Sequence, residues 1–293
     1  MEVVSQLIMN GIIAGGIYSL IALGLTMVYG ILKFINFAHG EIFMIGAYIA
    51  WTLNIGIRLP FWLSFILAMV ATGIVGYIIE KVGYKPLRNA PSWAPLIISI
   101  AISIFFQALA IMIWGAQIKT FRTGEIQQGI PILGAIITPI QITILITSLV
   151  LMVALYFFIM KTKTGKAMRA VADNKDVAAS IGINVNKTIS TIFVIGSALA
   201  GAGGVLVGIE QNLTPMMGVP MTVKGFTAAI VGGIGNIWGA VIGGFAIGFI
   251  ENIGIFFIPS GYKDAISFFV LLLMLIFRPR GIVGVKKEEE VRG

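Results

Sequence analysis

The chain has 293 residues, of which 58% are hydrophobic and 11% charged, with a mean hydropathy of +1.01. This excludes a soluble globular domain, where about a quarter of residues carry charge, and describes an integral membrane protein. Cysteine is absent, which excludes disulfides and thiolate chemistry within the chain, while the net charge of +8 takes its meaning from where the charges lie.

The apolar runs lack the alternation of barrel strands and approach the roughly 20 residues that a helix needs to cross a ~30 Å hydrocarbon core. The predicted fold is therefore an all-α, polytopic transmembrane helical bundle of about 8 to 9 spans. A first span covers 5–29; no Lys or Arg precedes it, and its length exceeds a signal-peptide core, so it reads as a retained span. Others follow at 35–53, 61–80, 94–115, 139–160 and 189–209, then a Gly-rich region at 225–258 and a last span at 265–277. No linker composition divides the chain, so 1–287 form a single domain and 288–293 a polar tail.

Basic residues collect beside these spans: Lys81, Lys85 and Arg88; Lys161, Lys163, Lys166, Arg169, Lys175 and Lys187; Arg278, Arg280, Lys286, Lys287 and Arg292. That distribution follows the positive-inside rule and is not a nucleic-acid footprint. Loops 81–93 and 161–187 and the tail are thus expected in the cytoplasm. The N-terminus and the 117–138 connection, with its Lys119 and Arg122, are expected outside. Returning the tail to the cytoplasm requires two crossings within 225–258, with a turn near Gly232–Asn236 and a short or broken helix near 225–240; the alternative is a re-entrant half-helix there, which leaves the tail outside. Non-helical backbone at that depth is tolerated only where protein buries it.

Small residues recur every fourth position at Gly196, Ala200, Gly204 and Gly208, and again at Ala240, Gly244 and Gly248. Such stripes let helix backbones approach closely, either inside the bundle or at a subunit interface.

Ionisable groups within spans are costly, about 2.5–3.5 kcal/mol each at a helix centre, and so point to function. His39, Glu41, Glu210 and Glu251 qualify. On a helix Asn36, His39 and Phe43 share one face, with Glu41 about 200° from His39, so the His and Glu make no catalytic pair. Asn36, His39 and Glu41 are candidates for a pathway or gate, with packing and helix-end contacts as the competing roles. Glu210 and Glu251, near span ends, are expected to be solvated or capping. No metal or catalytic constellation is present, and acids this sparse do not build a proton relay, which disfavours secondary active transport relative to a path powered from outside the chain.

The segment 162–187 is the one long polar stretch. Lys166, Arg169, Asp173, Asp176 and Ser180 form a polar stripe, and Met168, Val171, Ala172, Ala178 and Ala179 an apolar one. Thr164 is the predicted start and Gly182 the stop. The apolar face lacks the Trp, Phe or Leu of a lipid-surface helix, leaving two fates, packing on the protein's own base or docking in a partner's groove. Gly165-Lys166 is no P-loop, because Ala167 follows and Met160 stands where the first glycine belongs. The chain is expected to bind no cofactor.

Ala22–Trp51, Gly165–Ile183, Lys224–Gly244 and the sequence RPRGIVG at Arg278–Gly284 together resemble the LivH type of branched-chain amino-acid ABC transporter permease, over nearly the whole chain. The resemblance implies half of a pore, a second, LivM-type permease, two ABC ATPase subunits that hold the ATP, and an extracytoplasmic solute-binding protein at a plasma (inner) membrane. It makes 165–183 a coupling helix, with Gly165, Lys166, Arg169, Ala172, Asp173, Ala178 and Gly182 as the ATPase-coupling residues. Rival readings are an ABC permease for urea or simple sugars and a self-sufficient small-solute channel.

Overall fold

The computed structural model describes residues 2–283 apart from 89, 92 and 122–127. Arg122, Lys286, Lys287, Arg292 and the polar tail 288–293 lie outside the described residues.

Eleven α-helices occur among them. They are α1 (Glu2–Leu32), α2 (His39–Trp51, prolonged by a π-helical turn, Thr52–Gly56), α3 (Phe61–Ile79), α4 (Ala94–Trp114), α5 (Pro139–Lys161), α6 (Lys163–Asp173), α7 (Lys175–Ser180), α8 (Val185–Glu210), α9 (Gly218–Gly232), α10 (Ile237–Gly254) and α11 (Lys263–Phe277). A two-stranded hairpin, β1 (Ile130–Ile132) and β2 (Ala135–Ile137), precedes α5. The all-α polytopic bundle is what the composition and run lengths predict.

Local chemistry sets the boundaries. Lys33, at φ 58°, ends α1. Thr138 and Gln141 form a reciprocal capping box with Pro139 in the first turn of α5, satisfying donors that helix starts leave unpaired. Asn184 and Asn236 cap α8 and α10 by accepting from Lys187 N and Gly239 N. Between α9 and α10 the chain reverses in four residues, with Gly233 at φ 105° and Gly235 at φ 93°. This is the turn predicted near Gly232–Asn236, although α9 starts earlier than the predicted span, at Gly218.

Among the described residues, seven helices are long and apolar enough to cross a membrane. The short helices α2 and α9 start inside the bundle and, together with the connectors that lead into them, also pass between the two faces that those seven define. On one face, the Tyr84 hydroxyl donates to Asn36 Oδ1 at 2.6 Å, Arg88 bonds Asn186, and Asn236 Nδ2 donates to the Val283 carbonyl. On the other, Gln6 bonds Ile136, Trp114 bonds Thr52, Lys119 pairs with Leu213, and Gln141 bonds Glu210. Leaving out α6 and α7, nine of the eleven helices alternate between these faces. An odd number puts the two ends of the described residues on opposite sides, with the described clusters of basic residues all on one of them.

The core sits on α1 and α8, whose most apolar windows are 89% and 83% buried; α11, at 6%, and α4, at 17%, are outer staves with sides left for lipid. Glycine makes the core possible. A Cβ on Gly204 would overlap the Phe43 carbonyl of α2, one on Gly76 the Ser197 side chain of α8, and one on Gly244 the Ser19 side chain of α1. The small-residue stripes therefore face neighbours within this chain: Gly196 lies against Gly24 and Gly208 against Phe121, while Ala200 is fully buried.

Two expectations require correction. The first part of the expected loop 81–93 is helical, because α3 continues through a π-helical stretch (Glu80–Tyr84) and a 3-10 turn (Lys85–Leu87). There the buried Glu80 carboxylate takes Arg88 and the Ser190 hydroxyl as partners. Asn36 is also not on the face of a helix, since α2 begins only at His39 and Asn36 belongs to the connector, where its carbonyl accepts from His39 N at 3.3 Å.

Candidate functional site

The two short helices meet inside the bundle. At ~1.5 Å per residue, the 13-residue α2 and 15-residue α9 span about 20 Å each, less than the ~30 Å hydrocarbon core. Their first turns touch, because neither Gly40 nor Gly218 has a side chain: a Cβ on Gly40 would overlap the Thr222 hydroxyl and the Gly218 carbonyl.

Around this junction the three polar candidates are buried but point to different partners. Asn36, 2% exposed, is held by Tyr84, whose ring stacks between Phe34 and Phe193 at centroid distances of 4.8 and 5.3 Å. The His39 ring lies where a Cβ on Gly24 would be, 2.6 Å from its Cε1 and Nε2. Glu41 is fully buried, its Oε1 accepting from Ser103 Oγ at 2.9 Å and Gln107 Nε2 at 2.8 Å, both on α4. Its Oε2 has no hydrogen-bond partner among the described residues and lies 2.8 Å from the Cβ position of Gly218, at the start of α9, the helix end whose partial positive charge favours an anion. Asn36, His39 and Glu41 thus tie the start of α2 to α3, α1 and α4, and among the described residues no side-chain hydrogen bond joins them to one another.

A second buried cluster lies nearer the opposite face. Glu251 on α10 is fully buried and accepts from the Tyr18 hydroxyl at 2.6 Å and from Ser267 Oγ. Lys224 on α9, 5% exposed, reaches Glu251 at 3.2 Å, Asp264 at 2.8 Å and the Tyr18 hydroxyl at 3.2 Å. One network therefore joins α1, α9, α10 and α11, and the expectation that Glu251 is solvated is wrong. Sequence reasoning passed over Lys224 as an ionisable group. The available signal was a lysine inside the Gly-rich apolar run Val223–Gly233, which in lipid needs a counter-charge. Glu210 closes α8, is half-buried, and accepts from Gln141 at 3.1 Å.

On the basic face, the polar segment forms two helices rather than one. Asn174 leaves helical geometry at φ −148° and its Oδ1 accepts from Asp176 N and Val177 N, so it ends α6 and caps α7. The start is also one turn-fraction earlier than predicted. Thr162, not Thr164, is the cap, its Oγ1 accepting from Gly165 N at 3.0 Å. Gly182 stops the segment at φ 86°.

The two helices face differently. In α6, Gly165, Met168 and Val171 are buried, a Cβ on Gly165 would overlap the Ile159 and Phe158 carbonyls, and Arg169 Nη1 donates to the Ile159 carbonyl at 2.7 Å. A cation on the last carbonyls of α5 is favourable. Lys166, Ala172 and Asp173 face outward. In α7 only Ala178 is buried, while Val177 and, just beyond, Ile181 are 57% and 70% exposed.

The final described residues have a structural task. Ile282 N donates to the Val231 carbonyl at 2.8 Å and Val283 N to the Gly232 carbonyl at 3.1 Å, supplying donors to carbonyls that the end of α9 leaves unpaired. Gly281, at φ 75°, passes so close to Gly233 that a Cβ would overlap its amide.

The family profile described as "Branched-chain amino acid transport system / permease component" matches residues 7–275, from within α1 to within α11. The chain belongs to the branched-chain amino-acid transport permease family. Within it, the chain is 39% identical to the high-affinity branched-chain amino acid transport system permease protein BraD of Pseudomonas aeruginosa, over 98% of this chain and 97% of that protein. It is 38% identical to LivH of Escherichia coli K12, with the same coverage, and 31% identical to a probable LivH of Methanocaldococcus jannaschii, over 96% and 93%. Among solved structures, PsaBC from Streptococcus pneumoniae in complex with Fab superposes with a TM-score of 0.53 over 96% of this chain and 93% of that one. At 10% identity that likeness concerns the fold. This permease is thus a multi-pass membrane protein whose bundle geometry recurs well beyond its close relatives.

Proposed function

We propose that the protein is the pore-forming permease subunit of an ATP-driven importer of branched-chain amino acids. It forms half of a pore with a second, LivM-type permease in the plasma (inner) membrane and receives substrate from an extracytoplasmic solute-binding protein. It leaves ATP to two ABC ATPase subunits. Near full-length identity to permeases named for branched-chain amino-acid transport supports the substrate class.

The observation that carries the coupling role is the unequal exposure of α6 and α7. A helix fastened to α5 by Gly165 and Arg169 moves with the bundle, and the helix joined to it leaves Val177 and Ile181 in water. On this reading the segment 162–187 is the coupling element. Lys166, Ala172 and Asp173 contribute to the docking face, Ala178 seats α7 on the bundle, and Gly182 ends it. ATPase closure, transmitted here, would shift populations between outward-open and inward-open states.

The α2–α9 junction is the proposed gate, with Asn36, His39 and Glu41 holding one of its two jaws. The test is reconstitution of this permease with a LivM-type permease, two ABC ATPase subunits and a solute-binding protein. ATP-dependent leucine uptake that requires every one of them is the expected result. Leucine flux through the purified chain alone, without ATP, would replace the importer with a channel.

A further inference from the structure

Between α3 and α8, on the outside of the bundle, runs an open groove of about 570 Å³. Ile66, Val70, Ile74 and Tyr77 make its α3 wall and are exposed, while Val194 and Ala198 make the α8 wall. At the floor a Cβ on Gly73 would stand 3.4 Å from the Val194 side chain. No lining residue is charged. At ~1.5 Å per residue the wall from Ile66 to Tyr77 is about 16 Å long, roughly half of the ~30 Å hydrocarbon core. The groove is therefore about one leaflet deep.

Its basic-face end opens between two lysines. Lys81 Nζ stands 5.4 Å from the centroid of the Tyr77 ring. Lys187 lies in the first turn of α8, two turns before Val194 on the same stripe of that helix. Among the described residues neither ammonium has a hydrogen bond or an ion pair. Glu80, the acid next to Lys81 in sequence, is buried and taken by Arg88 and Ser190.

We infer that this groove is a site for an anionic glycerophospholipid, with the phosphate between Lys81 and Lys187 and one acyl chain along the wall from Tyr77 to Ile66. Two unpaired cations at the membrane surface attract anionic headgroups, and the uncharged wall beyond them takes the chain. A zwitterionic lipid offers the same chain, but its own cation offsets its phosphate. A soluble phosphate would leave the wall uncovered. Helices of neighbouring subunits pack best where small residues let backbones close, whereas the α3 wall presents branched and aromatic side chains. The bound phosphate would clamp the end of α3 to the start of α8, two ends already joined by Glu80 with Ser190 and Arg88 with Asn186, at the point where α8 leaves the α6–α7 segment.

The test places the full chain in phosphatidylcholine nanodiscs, alone and with the other subunits of the proposed importer. Each preparation receives a trace of phosphatidylglycerol or phosphatidylcholine carrying a diazirine in its acyl chain, and labelled peptides are mapped after irradiation. Expected in both preparations is labelling at Ile66, Val70, Ile74 or Val194 that is on the order of tenfold stronger from phosphatidylglycerol. Lys81→Gln combined with Lys187→Gln should lower it to the phosphatidylcholine level, and Lys81→Arg combined with Lys187→Arg should preserve it. Both lysines are exposed, and substitutions at such positions rarely disturb a fold; should a variant fail to fold, the ratio of the two lipids on the unaltered chain decides alone. Equal labelling by the two lipids, no labelling of the groove, or phosphatidylglycerol labelling that the double glutamine variant retains overturns the site. A groove labelled in the chain alone but not in the complex is a subunit interface, which overturns the lipid as its occupant.

Discussion

The α2–α9 junction and the α6–α7 segment are both built from short helices, yet they differ in what their side chains are for. At the junction the described neighbours fill the space around Gly40, Gly204 and Gly218, and polar groups such as Glu41 and Asn36 are tied to adjacent helices. The segment on the basic face is anchored along one side only, and the residues of α7 other than Ala178 are exposed. Mutation at the first region should therefore change folding and function together, whereas the outer half of the second should change function alone. The ion network under Lys224 belongs with the junction.

The largest effect is expected there. Lys224→Met leaves Glu251 charged and without its main counter-ion, and removing one member of a buried pair typically costs about 3–5 kcal/mol. The variant should be recovered in low yield and melt early in detergent. Lys224→Met combined with Glu251→Gln should regain most of the lost stability, because the fully buried position 251 then carries no charge, while Asp264 and Lys263 are exposed enough to be solvated; a double variant as unstable as the single one would mean that Lys224 acts through packing. Gly40→Val comes next. Overpacking costs about 1–3 kcal/mol where neighbours can shift, but here the obstacle includes the backbone of α9, so the upper end is expected in a thermal melt, accompanied by loss of uptake. If Gly40→Val melts like the parent, the two helix starts do not meet as described.

Much of this contrast was legible in the residues, and the exceptions have physical causes. Run length and hydropathy gave the long helices, the parity of basic clusters demanded the double passage of 225–258, and Gly232–Asn236 marked its turn. What failed depended on partners distant in sequence. Nothing near Glu251 announces Tyr18, Lys224 and Ser267, which converge from three other helices, so an acid near a helix end looked solvated. Asn36 was placed on a helix because its neighbours are apolar, whereas the positive φ of Lys33 opens a connector that no local pattern signals. The stripe from Lys166 to Ser180 treats the segment as one helix and passes over Asn174. Its side chain instead takes two amides of the following turn, the competition with helical bonding that makes Asn a capping residue.

Gly182 tests where the outer half begins. Its φ of 86° puts it in the left-handed region, yet no atom lies within 4 Å of its Cβ position. Gly182→Val thus costs only backbone strain, about 1–2 kcal/mol, too little to unfold the bundle but enough to turn α7 away. The expected outcome is a complex of near-normal melting temperature with reduced ATP-dependent uptake. Normal uptake at normal assembly would remove 162–187 from the coupling role.

The smallest effect on stability should accompany a large effect on function. Val177 and Ile181 are exposed, and surface substitutions away from special features usually stay within about 0.5 kcal/mol. Val177→Asp with Ile181→Asp should accordingly leave the melting temperature of the permease pair unchanged. If these side chains fill a cleft in the ATPase, burying two carboxylates there is prohibitive, so the ATPase subunits should no longer co-purify and uptake should fall to background. Arg169→Glu gives the complementary control, because it breaks the tie to the Ile159 carbonyl and adds a negative charge at the end of α5. That variant should keep its ATPase contacts but transmit closure poorly, hydrolysing ATP without uptake. A pair of variants that behaved alike would show that α6 and α7 move as one unit and that Asn174 is no more than a bend.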